Sequence, residues 1–362
     1  MHLVVPFASA LSAEVVQALP GLALPNLARL LGRMAPVARD DADAYTLSPP
    51  HERALAAAWR WEGRDGLYPF AAHAAAADGI ETGDAPWSLV TPAHWHVGRE
   101  HIAMADPEAL ELDAAASREL FGAVRTLFED DGCRLAWGAP ERWYASHPAF
   151  AAMPTASLDR VIGRNVDFWL GGSERRSGAP RAASAPDATA SAQEAAASAT
   201  GSAASAHGPA APAQHPGAKA HDAAAHAAWV RRLQSEVQLL LYPHPINEAR
   251  EARGALAVNS FWLSGCGRRQ AADPNAVTVD PTLRRPLLDG DAAAWVAAWN
   301  ALDGGAVARL LAALEGGDPT VALTLCGDRS WQRFAAAPRS LWTWLRGATR
   351  RAPAVADVLR GL

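Results

Sequence analysis

The sequence predicts an α/β fold in which a mainly parallel sheet is flanked by helices, with a smaller α+β lobe and a disordered insert. Three observations carry that expectation. Short apolar, β-branched runs alternate with amphipathic stretches at a spacing of roughly 10–15 residues, the rhythm of β–α–β units. Residues 87–105 break the rhythm: Trp87–Val97 and His101–Ala105 read as two strands around a turn at Gly98, an antiparallel element set apart from the main sheet. From Gly171 to Ala228 the chain is dominated by Ala, Ser, Gly and Pro, and holds no aliphatic or aromatic residue larger than alanine apart from scattered histidines. Such a segment buries too little apolar area to offset its ordering entropy.

Taken in order, Leu3–Ala8 is β-branched and broken by Pro6, a strand. Ser12 is an N-cap for a helix to Leu19, and Pro25 sits in the first turn of a helix to Met34, where its missing N–H costs nothing. Pro49–Trp61 is a third helix. Ser117–Phe128 places Leu120, Val124, Leu127 and Phe128 on one face, and Asp131-Gly132 turns the chain into a strand at Cys133–Trp137. Beyond the insert, Trp229–Leu241 is a long helix with Leu233, Val237, Leu240 and Leu241 inward, followed by a short helix at Asn247–Arg253. Val258–Leu263 is a strand running into a turn at Ser264-Gly265-Cys266-Gly267. Asp291–Leu302 and Ala306–Leu314 are helical, Val321–Cys326 is a strand, and Leu341–Arg346 and Ala354–Leu362 are again helical. The domain plan is an N-terminal part (1–170) with a small lobe near 87–137, an insert (171–228), and a C-terminal part (229–362) that completes the same fold. In the insert, Pro180, Pro186, Pro209, Pro212 and Pro216 interrupt what alanine alone would make helical.

Half of the 362 residues are hydrophobic, too many for a disordered chain, and a net charge of −5 leaves no electrostatic footprint for nucleic acid. No basic block adjoins an amphipathic stretch, and no apolar run approaches the ~18 residues that span a bilayer. The start lacks the basic and apolar regions of a leader peptide. Cys133, Cys266 and Cys326 are odd in number and far apart, which speaks against a disulfide framework and for a reducing compartment. The expected setting is therefore the cytoplasm, with neither membrane nor nucleic acid as partner.

The densest polar cluster runs from Pro243-His244 to Gly254 and on through Asn259 to Gly267. Arg250 and Arg253 share a helical face and offer guanidinium forks for phosphate or carboxylate. Asn247 caps the helix or meets a ligand hydroxyl, and the Gly265/Gly267 turn exposes N–H groups to an anion. The plainer reading is a capped helix with exposed arginines beside a tight turn. His94 and His96 point the same way from one strand, as a metal pair or as a half-exposed face, with His101 close by in sequence. Asp328 and Arg329 follow the last strand, where parallel sheets bind ligands. His207, His215, His221 and His226 in the insert reflect its composition. The fourteen tryptophans read as core.

The stretch His244-Pro245-Ile246-Asn247 through Arg253-Gly254, with Asn259 to Trp262-Leu263-Ser264-Gly265-Cys266-Gly267, resembles the archaeal-type cofactor-independent phosphoglycerate mutases of the alkaline phosphatase superfamily. With Thr91-Pro92-Ala93-His94-Trp95, Gly163-Arg164-Asn165-Val166-Asp167 and Gln234-Ser235-Glu236-Val237-Gln238, the chain is more similar still to bacterial regulatory proteins of the RpfE type. Pro25-Asn26-Leu27-Ala28-Arg29-Leu30 resembles a helix start common in the superfamily. The resemblance implies an alkaline-phosphatase-like fold, two divalent metals such as Mn or Zn held by Asp and His, and a Ser or Thr nucleophile. The chain departs from that pattern: strand one ends in Val5-Pro6-Phe7-Ala8-Ser9 where an Asp is expected, and the late strand ends in Gly327-Asp328-Arg329, with a fixed cation at a ligand position. Ser9 and Ser12 are the nearest hydroxyls, with no activating base nearby in sequence. Two expectations follow. One is a mutase-like scaffold without its dimetal site and without a cofactor, binding a phosphorylated or carboxylated metabolite through Asn247, Arg250, Arg253, Asn259, Gly265, Gly267, Asp328 and Arg329, in a regulatory role that involves a protein partner. The other is an active isomerase interconverting 3- and 2-phosphoglycerate, with His94, His96 and Asp328 as its metal ligands.

Overall fold

A computed structural model describes residues 1–98, 102–170, 216–273, 277–336 and 354–362. The expected β–α alternation yields a parallel core, but a small one. Strand β1 (His2–Val5) pairs in parallel with β10 (Ala322–Cys326), His2 opposite Ala322 and Val5 opposite Leu325, and on its other side with β9 (Thr278–Val279). The sheet continues antiparallel through β11 (Ser330–Ala336) to β2 (Met34–Asp41), in the order β2-β11-β10-β1-β9. It is therefore mixed, which corrects the expectation of a mainly parallel sheet. The sequence reading missed β2 and β11 because both strands mix charged and small residues; β2 is the edge strand, where such residues are allowed, and β11 lies between it and β10.

The second sheet is wholly antiparallel. Strands β3 (Pro86–Ala93), β6 (Arg134–Ala139), β7 (Arg142–Ser146) and β8 (Ser260–Arg268) lie in the order β6-β7-β3-β8. The small lobe thus takes a strand from the far side of the insert. A two-stranded ribbon of β4 (Trp95–Val97) and β5 (Ile102–Met104) leaves the end of β3. The turn expected at Ser264–Gly267 does not form: β8 continues through it, with a shift of register against β3 between Trp87 and Leu89. Gly265 has a positive φ of 65°, and a Cβ there would lie 2.9 Å from the Ala71 nitrogen, so glycine lets helix α4 (Phe70–Ala77) lie directly on the strand.

Helices α1 (Ala13–Ala18), α2 (Pro25–Arg33), α3 (Pro50–Trp59), α5 (Ala114–Asp130), α6 (Leu158–Val161) and α7 (Val166–Leu170) precede the insert. After it, α8 (Pro216–Leu241) begins well before the expected Trp229. Pro216 fits a first turn, and the following alanine-rich run meets no further proline, so residues 216–228 join a helix rather than a disordered insert. Leu233, Val237 and Leu241 face the core as expected, whereas Leu240 is 38% exposed. The chain continues through α9 (Pro245–Ala252), α10 (Arg284–Leu288), α11 (Ala292–Leu302), α12 (Ala308–Glu315) and α13 (Val355–Arg360). The helix expected at Leu341–Arg346 lies outside the described residues. All three cysteines are buried and unpaired.

Between α11 and α12, Asp303–Val307 forms a π-turn that joins them into one rod and turns Asp303 inward. Its carboxylate, 3% exposed, accepts the backbone N–H of Asn26 at 3.1 Å and of Leu27 at 2.7 Å. The first-turn donors of α2 are thus capped from across the chain, since Leu24 at the N-cap position has no side-chain acceptor. Asp303→Ala leaves those donors buried and unpaired. It should lower unfolding free energy by about 2–4 kcal/mol, since hydrogen bonds to charged groups are the stronger class. Urea denaturation at pH 7 measures it, and a loss below about 0.5 kcal/mol would show that α2 finds another cap.

Candidate functional site

The carboxyl ends of β1 and β10 lie side by side, and the two loops leaving them are tied together by polar contacts. After Val5 the chain turns through Phe7, a non-glycine residue at φ 57°. That conformation costs on the order of 1–3 kcal/mol and persists only where neighbours enforce it. Here Ala8 N donates to Cys326 O at 2.8 Å, and the buried indoles of Trp295 and Trp299 donate to Phe7 O at 3.0 Å and Ala8 O at 3.2 Å. Further along, Leu11 N donates to Asp328 Oδ2 at 2.8 Å.

Two buried arginines reach the same turn. Arg53 Nη2 donates to Arg329 O at 2.8 Å, its Nη1 to Ser48 O at 2.8 Å, and its Nε to Asp40 Oδ2 at 2.6 Å, so every nitrogen has a partner. Arg160, 4% exposed, donates from Nη1 to Asp328 O at 3.1 Å. Its Nε and Nη2 are buried with no hydrogen-bond partner among the described residues. Those two nitrogens form one edge of the guanidinium, the side-on fork that matches a carboxylate or a phosphate. Burial, with Arg164 and Arg53 adding like charge, pulls the Arg160 guanidinium down to about 10, so it is still a cation at neutral pH.

Around Arg160 stand four more titratable groups. Glu52 is partly exposed as a residue, yet its carboxyl is enclosed enough that burial pushes it up to about 7, against the opposing pull of His51, Ser157 and Arg160. His51 Nε2 lies 3.3 Å from Asp159 Oδ2, with the Phe7 ring 5.5 Å from the imidazole. Burial works to raise the Asp159 carboxyl, but hydrogen bonds and charge from His51 and Arg284 overcome it and hold it below the usual range. Arg284 contacts Asp159 at 2.8 Å and Asp106 at 3.2 Å. The arrangement brings together one guanidinium edge without a partner among the described residues, one carboxyl poised near neutrality and one oriented imidazole, beside a strained turn. It can hold an oxyanion and exchange a proton next to it.

The residues singled out from sequence fall into two separate places. Asp328 and Arg329 meet this cluster through their backbone carbonyls, with Arg329 exposed. The others surround β8 in the second sheet. Asn247, 2% exposed, donates from Nδ2 to Leu241 O and Val258 O and accepts from Val258 N, each at 2.8 Å. Arg250, 1% exposed, donates from Nε to Leu256 O at 2.7 Å and from Nη2 to Leu110 O, leaving Nη1 without a partner among the described residues. Arg253 is exposed. Asn259 brackets Trp95, accepting its N–H at 2.7 Å and donating to its carbonyl at 3.0 Å. Gly265 and Gly267 back onto α4 and Pro69. His94 and His96 meet ring to ring, whereas His101, His207 and His215 lie outside the described residues, as does the side chain of His221. Ser12 caps α1 through Val15 N at 3.4 Å, and Ser9 is buried.

His51, Glu52, Asp159, Arg160 and Arg284 escaped the sequence reading. A signal existed in the charged His51-Glu52-Arg53 at the first turn of a helix and Asp159-Arg160 inside an apolar stretch, both at positions that bury charge. The dimetal centre implied by the resemblance does not fit the donors here. No carboxylate follows β1, Asp328 already accepts Leu11 N, and Asp159 is neutralised by Arg284. Among the described residues, no three or more His, Cys, Asp or Glu side chains gather with ligand geometry.

The structure is that of a mixed α/β protein with a buried, unpaired guanidinium edge, among the described residues, beside the carboxyl ends of β1 and β10. No family model and no curated protein matches the chain. Solved structures that are similar to it include a cofactor-independent phosphoglycerate mutase from Thermoplasma acidophilum, at 13% identity over 99% of this chain and 98% of that one, with a TM-score of 0.33. They also include the PH0037 protein from Pyrococcus horikoshii, at 13% identity over 93% of this chain and 87% of that one, with a TM-score of 0.42. At these scores the likeness is loose, and nothing known of either protein carries over to this chain.

Two expectations follow from the geometry. Asn247→Ala removes three buried hydrogen bonds and should cost about 2–4 kcal/mol of stability, equally with and without any anion present. Calorimetric unfolding with and without phosphate checks this, and a cost that appears only with phosphate would make Asn247 a ligand contact. For Glu52 the folded pKa stands above the unfolded one, so the native state holds the extra proton. Its stabilising effect is complete below the unfolded carboxyl pKa and is lost as pH rises through about 7. Wild type should therefore lose on the order of 1–3 kcal/mol relative to Glu52→Gln between pH 4.5 and 8. Parallel pH–stability curves for the two proteins would show that Glu52 is not the titrating group.

Proposed function

We propose that this chain is a phosphoglycerate-mutase-like protein that works without a dimetal centre. It binds a small phosphorylated or carboxylated metabolite at the carboxyl edge of its mixed sheet and serves a regulatory role through that binding. The observation that carries the reading is the open fork of Arg160. A guanidinium 4% exposed, with two adjacent N–H groups unpaired among the described residues, is costly unless an oxyanion completes it. Glu52, where protonated, donates a hydrogen bond to the same anion, and Asp328, held by Leu11 N, fixes the turn that Arg160 leans on. The strained Phe7 turn fits a binding edge, since strain of this kind concentrates where ligands are held. The cytoplasm is the expected setting, and no helix among the described residues is long and apolar enough to cross a membrane.

Isothermal titration with inorganic phosphate, sulfate and 3-phosphoglycerate tests the site. Arg160→Gln removes fork and charge and should weaken binding at least tenfold. Arg160→Lys keeps the charge without the fork and should recover only part of it. Unchanged affinity in a folded Arg160→Gln protein would overturn the assignment. A coupled mutase assay with added Mn²⁺ and with chelator addresses catalysis separately: metal-dependent turnover would replace the metal-free reading with that of an active isomerase.

A further inference from the structure

We infer that an open cleft at the C-terminal end of β8 binds a small zwitterion of the apolar α-amino acid class, through residues distinct from the Arg160 cluster. The cleft, of about 470 Å³, lies where the loop joining α3 to α4 meets the strand end, and its size is that of a small-molecule site. Its two walls are fastened to each other. Gln270 clamps the backbone of Glu62, accepting its N–H at 2.8 Å and donating to its carbonyl at 2.6 Å. Beside it, the Trp61 indole donates to Ala271 O at 2.9 Å and the Trp59 indole to Asp273 O at 3.2 Å. The loop is held from its other side as well. Asp65 accepts the N–H groups of Leu47 and Ser48 at 2.9 and 2.8 Å, and Gly66 N donates to Ser48 Oγ at 2.9 Å. Walls fixed in this way stand ready before a ligand arrives, so little ordering cost falls on binding.

Within this frame the charged side chains of the lining are left over. Arg64 is exposed on the anchored loop, and its guanidinium makes no hydrogen bond or ion pair among the described residues. Arg268, at the end of β8, commits only Nη1, to Asp84 O, and its other nitrogens meet no partner among the described residues. The exposed Glu62 carboxylate has none there either. The rest of the lining used here is apolar: Leu67, Pro69 and Ala151. Gly267, at φ 149°, adds no side chain, and a Cβ there would lie 3.0 Å from Pro69 Cβ, so glycine lets the strand end close against Pro69. Two guanidiniums, one carboxylate and an apolar surface in one cleft match a ligand carrying the same three features. Its carboxylate meets the arginines, its ammonium meets Glu62, and its apolar body lies on Leu67 and Ala151. A phosphate dianion suits the cleft less, because Glu62 repels it.

Isothermal titration of the full chain with leucine, methionine and phenylalanine tests the site. At least one should bind, and its analogues lacking the amine or the carboxylate should bind at least tenfold more weakly. Arg64→Gln and Arg268→Gln, both at exposed positions that keep the fold, should each weaken the amino acid at least tenfold. Glu62→Gln should abolish the preference for the amino acid over its amine-free analogue. Arg160→Gln should leave this affinity unchanged, which separates the cleft from the anion site. The proposal is overturned if none of the three amino acids binds at about 10 mM. It is overturned equally by a folded Arg64→Gln/Arg268→Gln protein that binds as tightly as wild type, or by an amine-free analogue that binds as well as the amino acid.

Discussion

The parallel pairing of β1 with β10 is the constraint on which the rest of the structure depends. It joins the first strand of the chain to one of the last, and its four-residue register is buried throughout. Closing so long a loop has an entropic cost that only a well-packed core offsets, so the helices around it are not interchangeable. Trp295 and Trp299 on α11 show the coupling. Both are fully buried, and their indole N–H groups serve the carbonyls of Phe7 and Ala8, so the helix that covers the sheet also fixes the turn at the end of β1. The capping of α2 by Asp303 repeats the pattern on the next rod segment. In both cases polar groups of a helix late in the chain satisfy backbone groups near its start.

That coupling explains what the sequence made legible. Aliphatic runs such as Leu3-Val4-Val5 and Ala322–Cys326 announce buried strands, and the helices at 114–130 and 292–302 announce themselves by periodicity. Strands β2 and β11 were hidden because an antiparallel pair at the edge of a sheet tolerates Arg, Asp and Gln, which carry no alternating pattern. The glycines of β8 read as a turn because local propensity cannot foresee a helix lying against a strand at van der Waals distance.

The candidate site was legible in part for the same reason. Asp328 stood out by lying just after a strand, and its backbone carbonyl is the one that Arg160 Nη1 meets. The Arg160 guanidinium comes from α6, remote in sequence, and the Glu52 carboxyl from α3. No spacing rule links residues 52, 160 and 328; only the crossing of elements over the sheet edge does. Conversely, the dense polar stretch from Asn247 to Gly267 looked like a site because its residues are polar and close in sequence. Asn247 instead uses its amide to hold α8, α9 and the approach to β8 together, a role in which a buried asparagine with three good partners is hard to replace.

The contrast between Arg250 and Arg160 is the reason the proposed anion site is placed at Arg160. Both guanidiniums are buried, and among the described residues Arg250 has one nitrogen without a partner and Arg160 two. Arg250 donates through Nε and Nη2, so its side-on fork is already divided between Leu256 O and Leu110 O, and only Nη1 is left over. A single N–H in a packed interior is met by one water and gives no grip on a two-oxygen ligand. Arg160 has the reverse pattern: Nη1 is anchored on Asp328 O and the whole Nε/Nη2 edge is free. One anchored nitrogen fixes the plane of the guanidinium, and the open edge then presents two parallel donors at the spacing of a carboxylate or phosphate. Among buried arginines of equal charge, the one whose fork is intact is the one that can recognise an oxyanion.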